Sequence, residues 1–251
     1  MHLASCDTKH KISPTTAKKR LDSVRLFLQW VYERKPEFEL PRNLNRHFAS
    51  VRVDPPKPMQ FTVEEVQTIF NAASQRTKLY IALAANCGYT QVDIATLEAS
   101  HIDWNNGLIK RDRNKTRSPQ VHKLWPVTIT LLERECRQTQ SGLVLLDQKG
   151  QPLKRDVIKL NGEVTTYDSI RLAFDRTMTK IGMAKDKRRF KTFRKTSADL
   201  IEKHCPEYPH LSSQFLAHSE TATKRYYVGR HYEMLFMALD KLDELYALKL
   251  E

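Results

Sequence analysis

Glycine is scarce in this chain: 7 of 251 residues. That excludes collagen-like and glycine-rich low-complexity sequences and points to a globular, helix-rich protein. The four cysteines, Cys6, Cys87, Cys136 and Cys205, are scattered, with no CxxC pair. This excludes a disulfide scaffold and the usual zinc spacings, and free thiols in a reducing cytoplasm are the expectation. No apolar run approaches the length of a membrane span, so no membrane partner is expected. The N-terminal MHLASCDTKHK lacks the apolar centre of a secretion signal. No internal repeat stands out.

Positive charge is what the chain has in excess. Lys and Arg number 42 against 29 Asp and Glu, a formal net charge of +13. A globular chain this basic suits a polyanionic partner, with nucleic acid the first candidate and a merely solvated basic surface the alternative.

Apolar residues Leu21, Val24, Leu28 and Val31 recur at helical spacing, so 15–34 reads as a basic amphipathic helix. The segment PEFELPRNLNRHFASVRVDPPKPMQ holds five prolines and reads as a linker. Order resumes at FTVEEV, where Thr62 and Glu65 fit a capping box and Phe61 and Val66 a hydrophobic staple. A buried helix follows at 77–87 and Gly88 ends it; Thr90 and Asp93 suit the start of a further short helix. NNGLIKRDRNKTRSPQVHKLWPV reads as two strands joined by a basic turn, and GLVLL as another short strand. The remaining helices are expected at about 127–138, 166–181, 192–204, 210–217, 220–227 and 231–248. The fold class is therefore mainly α with a small antiparallel β-sheet (α+β).

Three stretches can carry chemistry. KDKRRFKTFRK, 185–195, holds seven Lys or Arg; Lys191 and Arg194 share a helix face beside a helix N-terminus, which suits a phosphate. The turn RDRNKTRS puts Lys115 near a hairpin tip, from which a flexible ammonium can reach a groove or donate a proton. LAHSETATKRYY places His218 nine residues before Tyr227. Taken singly, each has an ordinary reading: a solvated basic face, a charged turn, a core histidine with packing tyrosines.

In their order, the three resemble the catalytic domain of the tyrosine recombinases, the phage-type integrases. FKTFRKTSADL is similar to the family's H-x-L-R-H-T box, and LAHSETATKRYY to its L-G-H…Tyr box. The resemblance implies a DNA breaking-rejoining fold over 55–251, preceded by a partial helical core-binding region and linker over 1–54. It implies Tyr227 as nucleophile, with Tyr226 the runner-up at the cost of a one-residue deletion. It implies Arg194 as phosphate clamp and Lys191 in place of the family's usual His. It implies His218 as the L-G-H histidine, after Ala217 in place of Gly, and Lys115 as the hairpin lysine, with Arg113 and Arg117 close in register. NCGYTQVDIATLEASHIDW matches the family's first box through Gly88, Asp93, Leu97 and Asp103-Trp104, but the first arginine falls on Thr90.

The implied activity is site-specific DNA recombination or integration through a covalent 3′-phosphotyrosyl link, with no metal and no nucleotide cofactor. Double-stranded DNA is the implied partner, with a homo-oligomer, a tetramer, assembled on it and no small-molecule substrate. The implied setting is a bacterial cytoplasm, at the nucleoid, in a mobile element. At Thr90 three outcomes stay open: another cation such as Arg188 or Arg189 fills the gap, the enzyme is slow, or the domain binds DNA without cutting it. A type IB topoisomerase and a plain basic nucleic-acid-binding domain are the remaining alternatives. The final helix, with Leu235, Leu239, Leu242 and Tyr246 on one stripe, either folds onto its own core or docks into a neighbouring protomer.

Overall fold

The computed structural model describes residues 12–42, 44, 53, 59–114, 117–136, 142–208, 210–218 and 232–250. The chain divides into two compact units, Met1–Pro58 and Met59–Glu251. In the first, helix α1 spans Pro14–Arg34. Ser13 caps it by accepting the Thr16 N–H at 3.2 Å, and Pro14 occupies a first-turn position where its missing N–H costs nothing. No residue of α1 is buried, and Phe27 and Trp30 stack on its exposed surface with ring centroids 6.1 Å apart.

The second unit is built around one buried helix. α2 (Val63–Ala72) begins with the expected capping box: Glu65 N–H to Thr62 Oγ1 at 3.2 Å and Thr62 N–H to Glu65 Oε2 at 2.8 Å. α3 (Gln75–Asn86) is buried from Thr77 to Asn86. A helix apolar nearly all round must be enclosed by others, and α3 touches α2, α5 (Pro126–Glu135), α6 (Ser169–Lys180), α7 (Thr192–His204) and α9 (Glu233–Tyr246). Between α3 and α5 lie the short α4 (Gln91–Ala95) and an antiparallel sheet, β1 (Ile102–Asp103), β2 (Leu108–Asp112) and β3 (Pro119–Lys123), in that order. β2 and β3 are the two strands read from the sequence, in register from Leu108 opposite Lys123 to Asp112 opposite Pro119.

Two expectations need correction. GLVLL is not a strand: Leu143 and Leu146 make only single bridges, to Glu98 and Pro152. Val144 and Leu145 are buried in the core instead. The helix expected from 166 starts at Ser169, because 164–168 belongs to a second hairpin, β4 (Lys154–Ile158) with β5 (Val164–Asp168). Asp168 ends that hairpin and caps α6 by accepting the Arg171 N–H at 2.8 Å. The expected helix at 220–227 lies outside the described residues.

Aromatic packing fixes the elements that matter for the site. Phe61, Phe174, Phe190 and Phe193 form one cluster, with Phe193 5.0 Å from Phe61 and 5.7 Å from both Phe174 and Phe190. Burying each phenylalanine is worth about 1.5–3 kcal/mol. The cluster pins the start of α7 and turns Arg194 inward while Lys191 stays exposed. Helix α9 packs onto its own chain: Leu235, Leu239, Leu242 and Tyr246 are buried, Tyr246 Oη and Ser197 Oγ share a 3.0 Å hydrogen bond, and Trp125 Nε1–H donates to the Leu239 carbonyl at 2.7 Å.

Candidate active site

The short helix α8 (Leu211–Phe215) ends in a turn that organises the site. The Ala217 N–H donates to Gln214 O at 2.9 Å and the His218 N–H to Ser213 O at 3.0 Å. This paired closure needs a left-handed residue between them, and Ala217 supplies it with φ of 43°. An L-residue with a Cβ is strained there by about 1–2 kcal/mol. His218 emerges exposed, and the Leu216 and Ala217 carbonyls accept from side chains of other elements.

Two guanidinium groups meet those carbonyls. Arg194, buried on α7, donates from Nη2 to Leu216 O at 2.5 Å and from Nη1 to Gly88 O. Gly88 lies at φ +63°, and a Cβ there would sit 2.9 Å from the Phe215 ring and 3.4 Å from Arg194 Nη1. Glycine therefore serves both the turn and the approach of the arginine. Arg113, half-buried where the β2–β3 hairpin begins to turn, donates from Nη1 to Ala217 O at 3.2 Å. Burial first and Arg113 second push the Arg194 pKa down to about 10, while the Asp93 carboxylate acts upward. Arg194 remains cationic at neutral pH. His218 is held below its ordinary value by partial burial, then by the charges of Arg194, Arg113 and Lys191. Its imidazole is therefore neutral at pH 7, with one ring nitrogen free to accept a proton.

The charged groups beside Thr90, the Asp93 carboxylate and the Arg111 guanidinium, are tied into the fold. Asp93 Oδ2 accepts from the Thr90 N–H at 2.9 Å and from Thr90 Oγ1 at 2.7 Å. Arg111, buried, clamps the hairpin to α4 through the Asp93 carbonyl at 2.6 Å, Thr96 Oγ1 at 3.1 Å and Asn114 Oδ1 at 3.2 Å. Arg188 is no stand-in either. Its guanidinium is committed to Glu65, Asp186 and the Gln60 carbonyl and lies 4.5 Å over the Phe61 ring. Behind the turn, His122 Nε2–H donates to Phe215 O at 3.3 Å, with its ring edge-on to Tyr89 and Phe215.

Of the residues singled out from sequence, Arg194, Lys191 and His218 come together around this turn. Lys115, Tyr226 and Tyr227 lie outside the described residues. In the sequence Arg113 stands only as a rival register for Lys115; its contact with Ala217 is a tertiary fact. Among the described residues, no group of three His, Cys, Asp or Glu is placed to hold a metal ion, and no helix is long and apolar enough to cross a membrane.

The model of the phage integrase family matches residues 60–234, most of the chain. The chain belongs to that family. Three solved integrase structures share its fold. The integrase of mycobacterium phage Brujita superposes with a TM-score of 0.55 at 14% identity, over 97% of this chain and 80% of that one. The integrase of transposon Tn1549, in complex with a circular intermediate DNA, gives 0.60 at 15% identity, over 92% and 80%. A lambda integrase tetramer bound to a Holliday junction gives 0.58 at 16% identity, over 83% and 60%. A sequence search among curated proteins found no match. The shared fold has helices around small antiparallel sheets, and in this chain Arg194 and Arg113 bring Gly88, the hairpin, α7 and the α8 turn together.

Proposed function

We propose that this integrase-family chain is a site-specific DNA recombinase that works through a covalent 3′-phosphotyrosyl intermediate. One observation carries the reading: Arg194, Arg113, Lys191 and His218 converge on the α8 turn, and Tyr227 follows His218 by nine residues. A cationic pocket with a neutral imidazole suits attack by a phenol on a phosphodiester. The Tyr227 oxygen attacks phosphorus and gives its proton to His218. The P–O5′ bond breaks, and the leaving 5′-oxygen takes a proton from Lys115. Attack by the 5′-hydroxyl of a partner strand reverses these steps and releases the tyrosine. Arg194 holds the non-bridging oxygens as negative charge builds in the five-coordinate transition state, where losing one such donor costs about 10²–10³ in rate. Lys191 adds a further positive charge at the edge of the pocket.

Double-stranded DNA is the substrate, and the structures of similar fold bound to DNA, one of them a tetramer, favour a tetrameric assembly for this chain as well. Residues 1–54, with α1, belong to a core-binding region, and 55–251 form the catalytic domain. A second reading has one observation in its favour: Thr90 brings no charge where the family's first arginine falls, so the domain would bind DNA without cutting it. A duplex selected from a randomised pool for binding, and nicked so that cleavage releases a short strand, separates the two. The recombinase reading expects a covalent protein–DNA adduct that Tyr227→Phe abolishes. Binding without any adduct is the result the second reading expects.

A further inference from the structure

We propose that Arg113 supplies the second guanidinium of the phosphate site, in place of the arginine that the family frame puts at Thr90. This rests on the recombinase reading for its catalytic meaning, and on geometry for its placement. Arg113 and Arg194 come from different elements, the β2–β3 hairpin and α7, yet they donate to consecutive carbonyls, Ala217 and Leu216. The two guanidinium groups therefore flank the residue just before His218.

The hairpin fixes where the Arg113 side chain starts. Its N–H donates to Ser118 O at 2.9 Å and its carbonyl accepts the Arg117 N–H at 2.8 Å, which closes the turn. A guanidinium carries five N–H donors in a planar fork. Among the described residues, the Arg113 side chain spends one of them, on Ala217 O. The other arginines nearby are differently placed. Arg111, two residues earlier and on β2, spends its fork on Asp93, Thr96 and Asn114. Arg188 is neutralised by two carboxylates. Arg113 is thus the half-buried cation beside Arg194 with donors to offer.

Two like charges held at one turn repel, and each disfavours the charged form of its neighbours; Arg113 lowers the pKa of both Arg194 and His218. Asp93 relieves part of this for Arg194, but its Oδ2 is taken by Thr90. A phosphate bridging the two guanidiniums relieves the rest and gains paired, charge-assisted hydrogen bonds. The missing charge at Thr90 is then a relocation of the cation from a helix start to a hairpin.

Two measurements test this, and they fail separately. In the first, inorganic phosphate is titrated into the full chain while the His218 imidazole protons are followed by NMR. Bound phosphate should raise the His218 pKa, Arg113→Gln should weaken phosphate binding about tenfold or more, and Arg113→Lys should keep most of it. Thr90→Arg added to Arg113→Gln should restore binding. Phosphate affinity within twofold of the parent in Arg113→Gln, with an unchanged melting curve, overturns the proposal whatever the catalytic state. In the second, adduct formation on the nicked duplex should slow about 10²–10³-fold in Arg113→Gln. A parent chain that binds phosphate through Arg113 yet forms no adduct sinks the recombinase reading and leaves the phosphate site standing. A parent that forms adduct at the same rate with and without Arg113 sinks the proposal and leaves the recombinase reading standing.

Discussion

His122 gives a pH dependence whose size can be worked from the structure. Its ring is buried on β3, donates from Nε2 to Phe215 O, and has no partner at Nδ1. Burial is the main cause that moves its pKa from the ordinary 6.5 down to about 4; Arg194 pushes the same way, while the Phe215 hydrogen bond and Asp93 push back. The unfolded chain binds a proton at this histidine below about pH 6.5, and the folded chain does not until about pH 4. Stability associated with His122 is thus whole above pH 6.5 and is lost as pH falls toward the folded value. The slope approaches about 1.4 kcal/mol per pH unit and the total is about 3 kcal/mol. Urea unfolding of the parent and of His122→Gln, from pH 7.5 to 4.5, isolates the effect as the change in their difference. His122→Gln should be the less stable at pH 7.5 and should gain on the parent by about 2–3 kcal/mol by pH 4.5. A difference that stays flat across that range refutes the placement of a neutral, buried imidazole behind the site.

Gly88→Ala combines a left-handed backbone with a Cβ driven against Phe215 and Arg194. It should cost about 2–4 kcal/mol by urea unfolding and, by displacing Arg194, slow adduct formation in the folded fraction. Ala217→Gly relieves the strain at φ 43°. It should stabilise the domain by about 0.5–1 kcal/mol, a rise of about 2 °C in Tm by calorimetry.

What the sequence made legible was local. The Thr62–Glu65 capping box, the stop at Gly88 and the bounds of α7 follow from short-range rules, and the structure repeats them. The β2–β3 hairpin was visible through its basic turn, RDRNKTRS, between Leu108-Ile109 and Val121. The β4–β5 hairpin was missed although Asn161-Gly162 marks its turn. Its apolar residues Ile158, Leu160 and Val164 are exposed, so its pattern reports no buried face. On β3 the polarity is inverted: Gln120 and His122 face the core while Val121 is only partly covered. The role of Arg113 was hidden for a related reason. Arg111 lies on β2 and Arg113 just beyond its end, and only the packing of α4 and α8 decides which clamps a helix and which reaches the site. Local rules could place Lys191, Arg194 and His218 on their elements, but not show that two guanidinium groups share one turn.

Recombination by this route passes through a covalent bond between one tyrosine and DNA, and that bond can be mapped. Trypsin cuts after Arg225 and Arg230, so the digest of a trapped adduct yields Tyr226–Arg230, YYVGR, with both candidate tyrosines in one peptide. Fragmentation by mass spectrometry then places the attached nucleotide. It is expected on Tyr227, with Tyr227→Phe giving no linked peptide. A nucleotide on Tyr226, or an adduct that survives Tyr227→Phe, contradicts it.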